Sequence, residues 1–143
     1  MQENLQILNS TSKGYLPIID FESWRVAFLR YADAVERKQL HRVERHMETD
    51  EVFVLLAGRA CLIVEEDSRE EADAAADAPG FSLISMLPET VYNVRKAVWH
   101  HIVLSKDAAV LIVENSNTDY VNSEYRELTP DERRGMISSI PPL

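Results

Sequence analysis

An all-β sandwich or barrel is the fold class that the sequence predicts, and three observations predict it. At least eight short runs of strand-forming residues follow one another along the chain, turn signals separate them, and no strong amphipathic helix lies between them. The 143 residues suit one domain, residues 1–143, around a single core, and a 45% hydrophobic content is ordinary for a globular protein.

Residues 1–14 are polar and read as loosely ordered. Tyr15 to Ile19 is a short extended piece, and Pro17 within it suits a sheet edge. In Trp24 to Tyr31, Asp20 and Ser23 offer helix caps, but Trp, Val, Phe and Tyr favour a strand, which is the reading adopted. Ala32 to Gln39 is a charged connection with room for a helical turn. Leu40 to His46 is the next strand, Met47 to Asp50 a turn, and Glu51 to Leu56 another strand, with Gly58 as the turn after it. In the first of these, alternation sets Leu40, Arg42, Glu44 and His46 on one face and His41, Val43 and Arg45 on the other.

Residues 65–80 are acidic and alanine-rich without an apolar stripe, so they read as a solvated insertion that folding does not need. Phe81 to Leu87, Val91 to Val94, Val98 to Leu104 and Ala108 to Val113 continue the series of strands. A short C-terminal helix starts at Thr129, with Pro130 at its first position and Glu132 completing a capping box, and Gly135, Pro141 and Pro142 are expected to close it.

Charge and composition exclude several function classes. A net charge of −9 leaves no basic patch for phosphate contacts, which argues against nucleic-acid binding. No apolar run approaches the roughly 20 residues of a membrane helix. Residues 1–13 have neither a basic start nor an apolar core, so they do not read as a signal peptide, and a cytoplasmic location is the expectation. Cys61 is the single cysteine; an intramolecular disulfide is impossible, and its apolar run from Ala60 to Val64 marks it as a buried small hydrophobe. There is no glycine-rich phosphate loop, no paired cysteines for zinc and no nucleophile elbow.

The chemistry gathers between Glu44 and Gly58. Glu44 and His46 lie two apart on one strand face, and Glu51 opens the next strand. Two adjacent strands can thus aim a carboxylate, an imidazole and a second carboxylate into one cavity, an arrangement that suits a divalent metal. Arg42 shares that face; its planar donor fork suits an anionic substrate group, and a surface ion pair with a nearby glutamate is the alternative.

This stretch resembles the first motif of the cupin family, G-x5-H-x-H-x4-E-x6-G. His46 matches the second histidine, Glu51 the glutamate and Gly58 the closing glycine, whereas Glu44 replaces the first histidine and Lys38 the opening glycine. The second motif, G-x5-P-x-G-x2-H-x3-N, keeps only His100, with Arg95, Ala97 and Leu104 at the proline, glycine and asparagine. The resemblance covers roughly residues 40–113 and implies a double-stranded β-helix, or jelly-roll barrel. It also implies His46, Glu51 and His100 as ligands of a divalent metal ion (iron, manganese, zinc or nickel), with Glu44 as a further ligand or a base. Alternation sets His101 and His41 on the faces opposite His100 and His46, outward or at an interface. Tyr92 and Trp99 either line the cavity or belong to the core, and Tyr92 is taken with Arg42 as a substrate contact.

Three functions fit this reading: a metal-dependent enzyme acting on a small polar molecule, a non-catalytic module binding a sugar or small acid, and a metal-free structural cupin. A homodimer is expected, because strands such as Val52 to Leu56 are apolar on both faces.

Overall fold

Alternation along ten strands sorts the side chains of this protein into a barrel interior and two outer faces. The computed structural model describes residues 4–67 and 80–143. In chain order the strands are β1 (Gly14–Phe21), β2 (Trp24–Arg30), β3 (Arg42–His46), β4 (Glu51–Ala57), β5 (Ala60–Glu65), β6 (Phe81–Ser85), β7 (Val91–Val94), β8 (His100–Leu104), β9 (Ala109–Asn115) and β10 (Ser123–Glu127), followed by one helix, α1 (Pro130–Ser139). They pair into two five-stranded sheets, A in the order β1-β2-β9-β4-β7 and B in the order β10-β3-β8-β5-β6. Two 3-10 turns, Asp33–Val35 and Arg37–Gln39, occupy the charged connection before β3.

Local sequence explains the element ends. Pro17 lies in β1, an edge strand of sheet A, and the register shifts between Pro17 and Ile19, as expected where a residue has no N–H to give. Gly58 turns the chain between β4 and β5 with φ +71°, and a Cβ there would lie 2.6 Å from the Ala108 Cα. Thr129 caps α1, its side chain accepting from the Glu132 N–H while the Glu132 carboxylate accepts from the Thr129 N–H.

Two expectations are corrected, and one strand is added. The helix runs through Gly135 to Ser139, because Met136 and Ile140 are buried against sheet B and hold its last turns. Leu40 does not share a face with Glu44; it precedes β3 and packs with Val43 on the outside of sheet B. Strand β10 was not expected at all, since Ser-Glu-Tyr-Arg-Glu has no apolar alternation. The acidic insertion lies, at residues 68–79, outside the described residues.

Two apolar clusters result. Ala27, Leu29, Phe53, Leu55, Val110 and Ile112 from sheet A meet Leu62, Ile102 and Leu104 from sheet B inside the barrel, with Val35 among them. A second cluster covers the outside of sheet B, where Leu128, Met136 and Ile140 close over Val43, Cys61, Ile63 and Val103. Cys61 is fully buried there, and burial pushes its thiol up to about 11. The outside of sheet A has no such cover among the described residues. Its register aligns Leu16, Phe28, Leu111, Val54 and Val91 in one row across all five strands. Val91 is 68% exposed. No helix of the described residues is long and apolar enough to cross a membrane.

Two outcomes follow from this packing. Gly58→Ala is expected to cost about 2–4 kcal/mol, since the left-handed backbone and the Ala108 contact both resist a methyl group; a melting temperature within a degree of the parent would contradict it. The homodimer expected from the sequence would be built on the sheet A row. Light scattering is expected to return twice the 16.3 kDa chain mass, and Val54→Glu to return the monomer; a monomeric parent would contradict it.

Candidate metal centre

Sheet B supplies three of the four polar side chains that meet inside the barrel, and sheet A supplies the fourth. Glu44 and His46 come from β3, and His100, from β8, is the register partner of Glu44. Glu51, the first residue of β4, reaches across from the opposite sheet. The turn between β3 and β4 is fixed by Thr49, whose hydroxyl accepts from the Asn115 N–H. Asp50 accepts from the Lys96 N–H and from Asn93 Nδ2. The Ala97 N–H donates to the His46 carbonyl at 2.7 Å, so the turn preceding β8 is clamped to the end of β3.

The two imidazoles converge on one oxygen. His46 Nε2 and His100 Nε2 each lie 2.9 Å from Glu51 Oε2, and the rings meet edge to face at 5.4 Å. Glu44 Oε1 is 3.9 Å from His46 Nε2. One ligand atom from each of Glu44, His46, Glu51 and His100 lies within 4.8 Å of the others. The far nitrogens are held too. His100 Nδ1 donates to the Val98 carbonyl at 3.0 Å, and His46 Nδ1 is 2.7 Å from the Ser123 hydroxyl. With Nδ1 donating to Val98, His100 gives its Nε2 proton to Glu51 in the metal-free state; loss of that proton would leave the Nε2 lone pair facing the cavity, which is the tautomer a metal needs. Two imidazoles held from behind at Nδ1, together with two carboxylates, fit a divalent first-row ion.

The group is charged and buried. Side-chain exposure is 9% for His46, 7% for Glu51 and 3% for His100. Burial opposes the ionisation of Glu51, but hydrogen bonds from His100 and His46 outweigh it and hold the carboxyl well below its usual range. Burial alone would lower both imidazoles; the Glu51 hydrogen bond and charge raise them above their usual value instead. Glu44 moves the other way, its carboxyl raised by burial and by the Glu51 charge.

Comparison with solved structures places this architecture. A protein from Planctomyces limnophilus matches with TM-score 0.53 at 13% identity, over 85% of this chain and 96% of that one. A cupin protein from Bacteroides fragilis matches with TM-score 0.51 at 12% identity, over 83% and 92%. A double mutant of the QdtA 3,4-ketoisomerase from Thermoanaerobacterium thermosaccharolyticum, in complex with TDP, matches with TM-score 0.52 at 15% identity, over 78% and 83%.

The fold is that of the cupins.

No family model and no curated protein matches the sequence. The cupin barrel nevertheless explains the faded second motif. Ala97, at the motif's glycine, has φ +64°, so the turn keeps the left-handed conformation a glycine would adopt freely.

The cupin cavity measures about 640 Å³, within the range of small-molecule sites. Arg42 lines it, with its guanidinium 4.5 Å from the centre of the Tyr125 ring. Tyr92 lies elsewhere: it packs against the interior core, and its hydroxyl accepts from the Leu87 N–H at 2.8 Å, so it is not a cavity contact. His41 pairs with Glu127 at 3.0 Å with its side chain 58% exposed, and it also lines the rim of the cavity. His101 departs from expectation. It hydrogen-bonds the Ala34 backbone and lines the cavity wall, and burial, followed by the neighbouring His100, pushes it down to about 4. Three further lining residues escaped sequence reading: Tyr15, Arg25 and Glu114. The signal was present, since Arg25 shares the strand face of Ala27 and Leu29, and Glu114 that of Val110 and Ile112.

The shifts set a pH dependence with a definite sign. Raised histidines stabilise the folded chain below their unfolded value, and that contribution is lost as pH rises through the raised one. The depressed Glu51 contributes above its unfolded value and loses its contribution as pH falls through the lowered one. The cluster's contribution to the stability of the metal-free protein is therefore expected to be largest between about pH 4.3 and 6.5 and to fall as pH rises further, while His101, held neutral by burial, removes stability as pH falls from about 6.5 towards about 4. Metal requires unprotonated imidazoles, so the zinc-induced rise in melting temperature is expected to grow over the same rise in pH. Thermal melts with and without zinc from about pH 5 to 8 check both trends; a zinc effect that shrinks with rising pH would contradict the reading.

Proposed function

We propose that this chain is a metal-dependent cupin whose barrel cavity binds and acts on a small polar molecule. One observation carries the reading: two imidazoles and two carboxylates from both sheets converge between the sheets, with the far nitrogens of both rings already engaged. A purely structural core gains little from such a group, because even closely paired buried charges are often no more stabilising than apolar side chains of similar volume.

His46, Glu51 and His100 would hold the ion, which is iron, manganese, zinc or nickel on the chemistry of the donor set. When bound, the ion supplies a Lewis acid that polarises a substrate oxygen. Glu44 is the group left to move a proton. Its carboxyl, raised by burial and by the Glu51 charge, stands at the cavity with its side chain 35% exposed and 3.9 Å from His46 Nε2. Arg42, its guanidinium over the Tyr125 ring, stands at the cavity wall, where its planar donor fork can orient a substrate oxygen.

Metal analysis of tag-free protein tests this directly. About one divalent ion per chain is expected, with His46→Ala and His100→Ala each losing about tenfold or more in affinity. Glu44→Gln is expected to keep the ion and lose turnover. Protein that binds no metal at micromolar concentration, or a His100→Ala variant that binds it as the parent does, would contradict the proposal.

A further inference from the structure

Among the described residues, one arginine of the cavity lining pairs with no other side chain or carbonyl: Arg42 makes neither a hydrogen bond nor an ion pair. It shares the inward face of β3 with Glu44 and His46, and its guanidinium lies 4.5 Å from the centre of the Tyr125 ring. Arg25, the other arginine of the lining, is tied down by contrast, donating to Glu114 and to the Ser116 and Thr118 carbonyls.

Tyrosines frame the accessible part of this wall. Tyr125 is the register partner of Glu44, and Glu44 of His100, so β10, β3 and β8 set Tyr125, Glu44 and His100 in one row. Two strand spacings, about 10 Å, separate the tyrosine from the imidazole. Tyr120 packs against Tyr125 with ring centres 5.7 Å apart, lines the cavity and is 76% exposed. Tyr125 and Arg42 are half-buried, so all three residues keep surface that a ligand entering the mouth meets.

The chemistry of this wall is selective. An unpaired guanidinium offers a planar fork of N–H donors that a carboxylate meets with two parallel hydrogen bonds. A neutral ligand leaves that charge unanswered. A phosphate dianion brings a second negative charge to a lining that already holds Glu44, Glu51, Glu114 and Asp119 and, among the described residues, no lysine. One negative charge is what this arginine matches. Beside it the tyrosines present flat faces, which an aromatic ring meets in offset or edge-to-face contact.

We propose that Arg42, Tyr120 and Tyr125 form a subsite at the cavity mouth that selects a monocarboxylate bearing an aromatic ring. This rests on the cavity being the ligand site, as proposed above, and names the class of ligand it takes. Arg42 holds the carboxylate, the tyrosines hold the ring, and the row from Tyr125 to His100 sets that ligand about 10 Å or less from the metal group.

Ligand-observed NMR titrations of the full-length protein, with and without zinc, test the subsite with benzoate, benzyl alcohol, phenyl phosphate and acetate. The pH is held well above the second phosphate pKa of about 6, so that phenyl phosphate is a dianion. Benzoate is expected to bind at least about tenfold more tightly than each of the other three. Arg42→Gln is expected to lose about tenfold in benzoate affinity, and Arg42→Lys to recover only part of it, because an ammonium lacks the fork. Tyr120→Ala is expected to lose about threefold or more, and zinc content stays at the parent level in all three variants. Tyr120 is exposed, so its variant tests the subsite even if the Arg42 variants fail to fold. No binding of benzoate, equally tight binding of any of the other three, or unchanged benzoate affinity in Arg42→Gln or Tyr120→Ala would overturn the proposal. Benzoate that needs zinc and binds Arg42→Gln as it binds the parent sits on the metal instead, which also overturns it. Zinc content read on the same samples separates the two claims: benzoate binding through Arg42 without zinc uptake removes the metal and keeps the subsite, and zinc uptake without benzoate binding does the reverse.

Discussion

The buried carboxylate of Glu51 is the constraint on which the rest of the barrel depends. It sits at the start of β4 in sheet A and receives both imidazoles of sheet B on one oxygen. A carboxylate in that position is tolerated only if its charge is matched at close range. Every feature around it serves that match. Asp50 and Thr49 fix the turn that delivers Glu51, the Ala97 N–H ties the β8 turn to β3, and Val98 sets the tautomer of His100. Phe53 flanks His100 at 5.9 Å and closes the apolar floor beneath the group.

The two sheets solve their outer faces differently. Sheet B is sealed by the chain's own C-terminal helix, whose Met136 is fully buried, so this half of the barrel carries a second core. The interior is consequently freed from supplying all the stability and can hold a cavity lined by charges. Two polar groups line that cavity: the His/Glu cluster that joins the sheets, and beside its Glu51 on sheet A the Tyr15, Arg25 and Glu114 group. Arg25 shows the same logic as the imidazoles. Burial alone would lower its pKa, and the Glu114 carboxylate outweighs burial and raises it.

Much of this was legible in the sequence where local pattern and long-range structure agree. Trp, Val, Phe and Tyr marked the strand from Trp24, the cap at Thr129 marked the start of α1, and the spacing from His46 to Glu51 to Gly58 placed candidate ligands on two strands with a glycine that the structure requires at φ +71°. His100 was reached through position, since the turn before it keeps its geometry after losing its glycine. What escaped had no local signature. Strand β10 is a polar edge ribbon, defined only by pairing with β3, and Leu40 crosses to the outer face because it precedes the regular alternation. Tyr92 spelled a cavity aromatic, but its hydroxyl was claimed by the Leu87 N–H, a contact that no periodicity reveals. Arg25 and Glu114 lie 89 residues apart in the chain, and only the pairing of β2 with β9 makes them neighbours.

The central claim is that His46, Glu51 and His100 form one metal centre rather than a buried ion pair. Anomalous diffraction at the absorption edge of zinc, on crystals grown with that ion, tests it most directly. The account predicts a single strong anomalous peak per chain between the two Nε2 atoms and the Glu51 carboxylate. A peak only at the protein surface, with both imidazoles still hydrogen-bonded to Glu51, would contradict it.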